Sequence, residues 1–103
     1  MKIYIVNGII HEDGIGTRDW QVKAFANKAT AEAFRNKVET RAKDLYAHGQ
    51  GRPLLDWISL ELEKQNEFDP CMRMSPYACP MYFVTDLDLE TSYHEDLHRW
   101  RRN

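Results

Sequence analysis

The stretch KIYIVNGII, residues 2–10, opens the chain with β-branched and aromatic side chains in a nearly unbroken apolar run. Such side chains suit a pleated surface, and a run this apolar marks a strand buried on at least one face. Immediately after it, HEDGIGTR at 11–18 sets two glycines and two acids between apolar runs. Gly14 and Gly16 permit positive φ, so this segment reads as a loop that turns the chain back. DWQVKAF at 19–25 then alternates Trp20, Val22 and Ala24 with Gln21, Lys23 and Phe25, the period of a strand with unequal faces. The two apolar segments are expected to pair as an antiparallel hairpin.

Beyond the hairpin the period changes. Asn27 is a candidate N-cap, and Ala31, Phe34, Val38, Ala42 and Leu45 recur at helical spacing up to Gly49, which can close the helix. This amphipathic helix should cover one sheet face. Pro53 at a first helical position, followed by Leu54, Leu55, Ile58 and Leu62, predicts a second helix ending near Asn66, although the alternation of Ile58, Leu60 and Leu62 would equally suit a strand. FDPCMRMSPYACP at 68–80 holds three of the four prolines. Proline restricts φ and cannot donate to a ladder, so the segment reads as an ordered loop. MYFVTDLDL at 81–89 predicts a third strand, bulged where the alternation of Tyr82 and Val84 gives way to Leu87 and Leu89. In the tail, Ser92 with Glu95 forms a capping box, and Tyr93, Leu97 and Trp100 recur at i, i+4 and i+7, which predicts a short C-terminal helix. The expected architecture is α+β: a three-stranded antiparallel sheet packed on one face by one or two helices, as a single domain over 1–90 with a helical extension over 91–103.

Composition narrows the function classes. With 43% hydrophobic and 29% charged residues in 103, the chain has enough apolar content for a folded domain, which at this size buries roughly 65% of its unfolded surface. No apolar run approaches the length that spans a bilayer, and no charged-then-apolar leader opens the sequence, so a cytoplasmic protein is expected. Cys71 and Cys79 are too few for a disulfide framework and are expected to remain thiols. A net charge of −2 lacks the basic excess that phosphate neutralisation requires, so direct nucleic-acid binding would have to be local.

Three segments taken together, KIYIVNG at 2–8, RDWQVKAF at 18–25 with AEAF at 31–34, and FDPCMRMSPYACPMYFVTDLDL at 68–89, resemble a family of small uncharacterised proteins encoded by phages and prophages. The matching motifs are strand, helix and turn patterns that specify a fold and no chemistry. The chain departs from the family pattern at SPYACP, where a small Gly-containing turn is usual, and in the extension from Thr91 to Asn103. The resemblance implies a mobile-element origin. It also implies inhibition by binding, since small accessory phage proteins often act on host proteins, including defence systems such as CRISPR effectors.

Several side-chain groupings could carry that role. Asp86, Asp88, Glu90, Glu95 and Asp96 form an acidic stretch able to meet a basic groove, and equally able to serve as a solvated strand edge that discourages aggregation. HRWRRN at 98–103 surrounds Trp100 with Arg99, Arg101 and Arg102, a set suited to an interface hot spot or to stacking on a base, or simply to solubilising a terminus. Cys71, Cys79, His94 and His98 offer the ligand types of zinc. The gap between the cysteines is wider than a zinc knuckle, which favours packing cysteines and solvated histidines. No Gly-rich phosphate loop, nucleophile elbow or HExxH motif occurs, and His11 beside Glu12 and Asp13 does not make a triad.

The sequence therefore predicts a non-enzymatic accessory protein that inhibits or modulates a host complex by binding, through Asp86, Asp88, Glu90, Glu95, Asp96, Trp100 and Arg101 or the proline-rich loop. The alternatives are a nucleic-acid-associated regulator using the basic tail and a small zinc-stabilised module. Open sheet edges also make a homodimer reasonable.

Overall fold

Why the first strand carries apolar residues on both sides is explained by its place in the sheet. The computed structural model describes residues 1–57, 59 and 67–89, and contains strands β1 (Lys2–Glu12), β2 (Gly16–Phe25) and β3 (Met81–Asp88) with helix α1 (Lys28–Gly49). β1 is central, and both neighbours run antiparallel to it in the order β2-β1-β3. The architecture is the α+β one expected, an open three-stranded antiparallel sheet with α1 packed on it. No helix among the described residues is long and apolar enough to cross a membrane.

The hairpin closes through a turn in which the Ile15 amide donates to the Glu12 carbonyl at 3.1 Å, with Gly14 at φ 83° and Gly16 at φ 110°, conformations that glycine adopts without steric cost. The strands run further into the loop than expected, to Glu12 and from Gly16. α1 begins where the sequence places it: the Asn27 side chain accepts from the Thr30 amide at 3.1 Å. Its end differs in mechanism. Gly49 is not left-handed, and the positive φ falls at Gly51. What Gly49 supplies is space, because a Cβ there would stand 2.6 Å from the Trp57 ring.

Two further expectations are corrected. β3 pairs with β1 from Ile9↔Met81 to Lys2↔Asp88 without a register shift, so it carries no bulge. The irregularity lies in β2, where Val6 pairs with Lys23 but Asn7 pairs with Gln21, leaving Val22 as the extra residue. The bulge lets Trp20, Val22 and Phe25 all pack towards α1, which strict alternation would forbid. In the second helical region, residues 54–57 form a turn of helix, yet Leu54 and Leu55 are exposed and Trp57 is the buried residue. Trp57 packs edge-on against Tyr46 at 5.6 Å. Most of the predicted helix beyond it, and the whole predicted C-terminal helix, lie outside the described residues.

Residues opposite each other across a strand pair share a face. Val6 faces Val84 and Gly8 faces Tyr82, and this side meets Ala31, Val38, Ala42 and Leu45 of α1 to form the core, with Trp57, Met72 and Met74 closing it. The other side carries Ile3 opposite Leu87, Ile5 opposite Thr85, Asn7 opposite Phe83 and Ile9 opposite Met81. None of these belongs to the core. Leu87 is 50% and Phe83 39% exposed, and Met81 is exposed as well.

Candidate binding surface

The segment 67–80, between the second helical region and β3, has little regular structure but is firmly held. Asp69 anchors it. Its carboxylate is fully buried at 0% exposure and accepts three hydrogen bonds: from the Trp20 indole N–H at 2.9 Å, from the Tyr82 hydroxyl at 2.7 Å and from the Cys71 amide at 2.9 Å. A buried carboxylate is tolerated only when such donors replace water. The loop is thereby tied to β2 and β3 together. Met72, Met74, Ala78 and Pro80 sink into the interior around this anchor. Burial first, and then the charge and hydrogen bond of Asp69, push the Tyr82 hydroxyl far above its ordinary pKa. Tyr82 therefore stays a donor, and the node has a structural character: its acceptor oxygens are already occupied.

The far end of the loop is a turn. Ser75 and Ala78 exchange two backbone hydrogen bonds at 3.0 and 3.3 Å, the Ser75 hydroxyl accepts from the Tyr77 amide at 3.2 Å, and the Tyr46 hydroxyl on α1 donates to the Pro76 carbonyl at 3.2 Å. At its tip stands Tyr77, 93% exposed. The tip borders a hollow shared with the β1–β2 turn and the second helical region, lined by Glu12, Asp13, Ile15, Leu54, Pro76 and Tyr77. Ile15 and Leu54 are exposed as well. A rigid turn, an exposed aromatic ring, two aliphatic side chains and two carboxylates thus meet at one end of the sheet.

The residues singled out from sequence distribute differently. Asp86 and Asp88 are exposed near the end of β3, with Asp86 3.8 Å from the Lys2 ammonium across the strand pair. This places them at the opposite end of the sheet from Tyr77. Glu90, Glu95, Asp96, Trp100 and Arg101 lie outside the described residues, as do His94 and His98 of the Cys/His set. Cys71 and Cys79 are free thiols in unlike settings. Cys71 is exposed, whereas Cys79 is half-buried with its thiol towards the Ala42 and Pro80 carbonyls, and burial raises its pKa. Among the described residues no three His, Cys, Asp or Glu side chains are grouped to hold a metal ion.

Sequence reasoning did not find the Tyr77 hollow, because its parts come from residues 12–15, 54 and 76–77 and no local pattern joins them. The only signal was the proline-rich composition of the loop. Comparison with known proteins adds no relative: no family model, curated protein or solved structure matches the chain.

Proposed function

We propose that this chain acts by non-catalytic binding of a protein partner, presenting the Tyr77 hollow to a segment that brings an apolar side chain flanked by Lys or Arg. The observation that carries this reading is Tyr77 itself, an almost fully exposed aromatic ring on a turn fixed by four hydrogen bonds. A turn backbone held in advance loses little conformational entropy on binding, and tyrosine is enriched among the residues that dominate interface energies. Ile15 and Leu54 add apolar area beside it, and Glu12 with Asp13 favour a basic partner by Coulombic steering.

The resemblance to phage and prophage proteins supports a narrower version, in which the partner is a host complex, such as a defence complex that handles nucleic acid with basic grooves, and binding inhibits it. The test is capture with the tagged chain and with Tyr77→Ala and Ile15→Asp variants from bacteria expressing such complexes. A single stoichiometric partner, retained in high salt by the parent and weakened roughly 30-fold or more by Tyr77→Ala, is the expected result, since a hot-spot side chain is worth about 2 kcal/mol. A partner held equally by all three proteins, or recovery of nucleic acid alone, would overturn the reading.

A further inference from the structure

The two edges of the sheet are not alike. β2 is bulged at Val22 and carries Arg18, Asp19 and Lys23, features that blunt an edge against further pairing. β3 runs from Met81 to Thr85 without a charge, a proline or a register shift, and no described strand lies beyond it. The direction of its backbone groups follows from its end. Leu89 and Met1 exchange two hydrogen bonds, at 2.6 and 3.1 Å, which marks a hydrogen-bonded antiparallel pair. Such pairs alternate, so Met81, Phe83, Thr85 and Leu87 turn their amides and carbonyls to β1, whereas Tyr82, Val84, Asp86 and Asp88 turn theirs outward. Arg35 gives independent support for this alternation, since its Nη1 donates to the Tyr82 carbonyl at 3.2 Å from α1. Beside the open backbone, Met81, Phe83 and Leu87 are exposed on the face away from α1.

We propose that β3 pairs antiparallel with β3 of a second copy of this chain about a two-fold axis at Thr85, joining the two sheets into one. Three observations point to a second copy as the occupant of this edge. The backbone fits: in this register Tyr82 lies opposite the partner's Asp88 and Val84 opposite the partner's Asp86, so every outward residue of β3 finds a backbone partner, whereas an axis at Val84 would set Asp88 against Pro80, which has no N–H. The apolar side chains fit: away from α1, Phe83 falls opposite the partner's Leu87 and Leu87 opposite the partner's Phe83, in close pairs whose Cα atoms stand about 4.5 Å apart, so side chains exposed in one copy cover each other. The charges fit: Asp88, an exposed carboxylate, comes opposite the partner's Tyr82, whose carbonyl holds Arg35, and the symmetry repeats this contact at the other end. Arg35 serves Glu39 and the Tyr82 carbonyl through Nη1, which leaves the other donors of its fork for that carboxylate.

A carbonyl has two lone pairs, so that of Tyr82 can accept from Arg35 and from the partner's Asp88 amide together. The pairing uses the same strand on both copies and leaves only the blunted β2 edges open, so the assembly closes at two chains and does not grow into a fibre. It shares no residue with the lining of the Tyr77 hollow, so either assignment can fail without the other.

The experiment measures the mass of the full chain by light scattering at about 1 and 100 μM, together with cross-linking of cysteine variants by glutathione disulfide. The expected mass at the higher concentration is twice that of one chain. Asp86→Pro keeps the β1–β3 ladder, because the Asp86 amide points away from β1, but it removes an outward donor from each copy and sets a ring in the seam. The dissociation constant should rise on the order of a hundredfold, since the two-fold axis counts the change twice, with the circular dichroism of the parent retained. Thr85→Cys brings two thiols together across the axis and should link the dimer far faster than Leu87→Cys, whose partner thiol lies further along the strand; Cys71 and Cys79 are present in both and report non-specific linkage. A parent that keeps the mass of one chain at the higher concentration would overturn the proposal. So would a dimer that Asp86→Pro leaves intact, or one in which Leu87→Cys links as readily as Thr85→Cys.

Discussion

Replacing Asp69 by asparagine conserves side-chain volume and removes the charge that holds the proline-rich loop, so it isolates the contribution of the buried acceptor. The carboxylate takes the Trp20 and Tyr82 donors on one oxygen and the Cys71 amide on the other. An amide has a single oxygen. If it serves Trp20 and Tyr82, the NH₂ group faces the Cys71 N–H; if it serves Cys71, the NH₂ faces the indole N–H, and Tyr82 must rotate to accept. In either pose at least one partly buried N–H loses its acceptor, at about 1–3 kcal/mol, and the remaining bonds lose charge assistance at roughly 1 kcal/mol each. The total is about 3–5 kcal/mol, a large share of the roughly 5–15 kcal/mol that holds a domain together. Urea denaturation followed by circular dichroism reads it directly. With a slope near 1.5 kcal/mol/M the midpoint should fall by about 2–3 M. Asp86→Asn, the same charge change at an exposed site, should move stability by no more than about 0.5 kcal/mol. An Asp69→Asn protein as stable as its parent would refute the argument, because relief from burying an anion would then equal the lost hydrogen bonds.

Tyr82 gives a pH signature. Its hydroxyl has a raised pKa in the folded protein, so above about pH 10 the unfolded chain releases a proton that the folded one keeps. Stability should therefore be fully present below pH 10 and decline above it, by about 1.4 kcal/mol per unit from this group, and the decline should be shallower in Tyr82→Phe when both are titrated by thermal melts. Gly49→Ala should destabilise by about 1–3 kcal/mol, against the usual gain from replacing glycine in a helix, because the methyl group meets the Trp57 ring at 2.6 Å. Gly8→Ala should likewise displace Trp20, whose indole lies 2.5 Å from the added Cβ, and quench the difference between Asp69→Asn and its parent in a double-mutant cycle. Asn27→Ala should lower stability by about 1 kcal/mol through loss of the cap to Thr30, with no change at the Tyr77 hollow by chemical-shift mapping.

Local chemistry made much of the fold legible. The Asn27 cap, the spacing of Ala31, Val38, Ala42 and Leu45, the two loop glycines and the β-branched run of β1 each report on neighbours within a few residues, and each appears in the structure as read. Errors arose where a residue answers to a distant partner. The alternation in β3 looked like a bulge because Leu87 belongs to the second face and Tyr82 and Val84 to the first, a division visible only once β1 lies between β3 and β2. The true bulge at Val22 sets Trp20 opposite Gly8 on the core face, where its indole donates to Asp69, 49 residues along the chain. Leu54 and Leu55 obeyed a helical pattern yet remained exposed, since the space against α1 is filled by Trp57 over the bare backbone of Gly49.

The same division holds for the candidate site. Acidic and basic runs are contiguous and catch the eye, but contiguity along the chain does not make a surface: Asp86 and Asp88 stand at one end of the sheet and the Tyr77 hollow at the other. The sequence by itself determined the types of β1, β2, α1 and β3, the antiparallel hairpin and the start of α1, because capping, φ preference and hydrophobic period act over one or two turns. Only the tertiary structure decided that Asp69 latches the loop, that Tyr77 is displayed beside Ile15 and Leu54, and which apolar residues face away from α1, because these depend on side chains from segments far apart in the chain meeting in space.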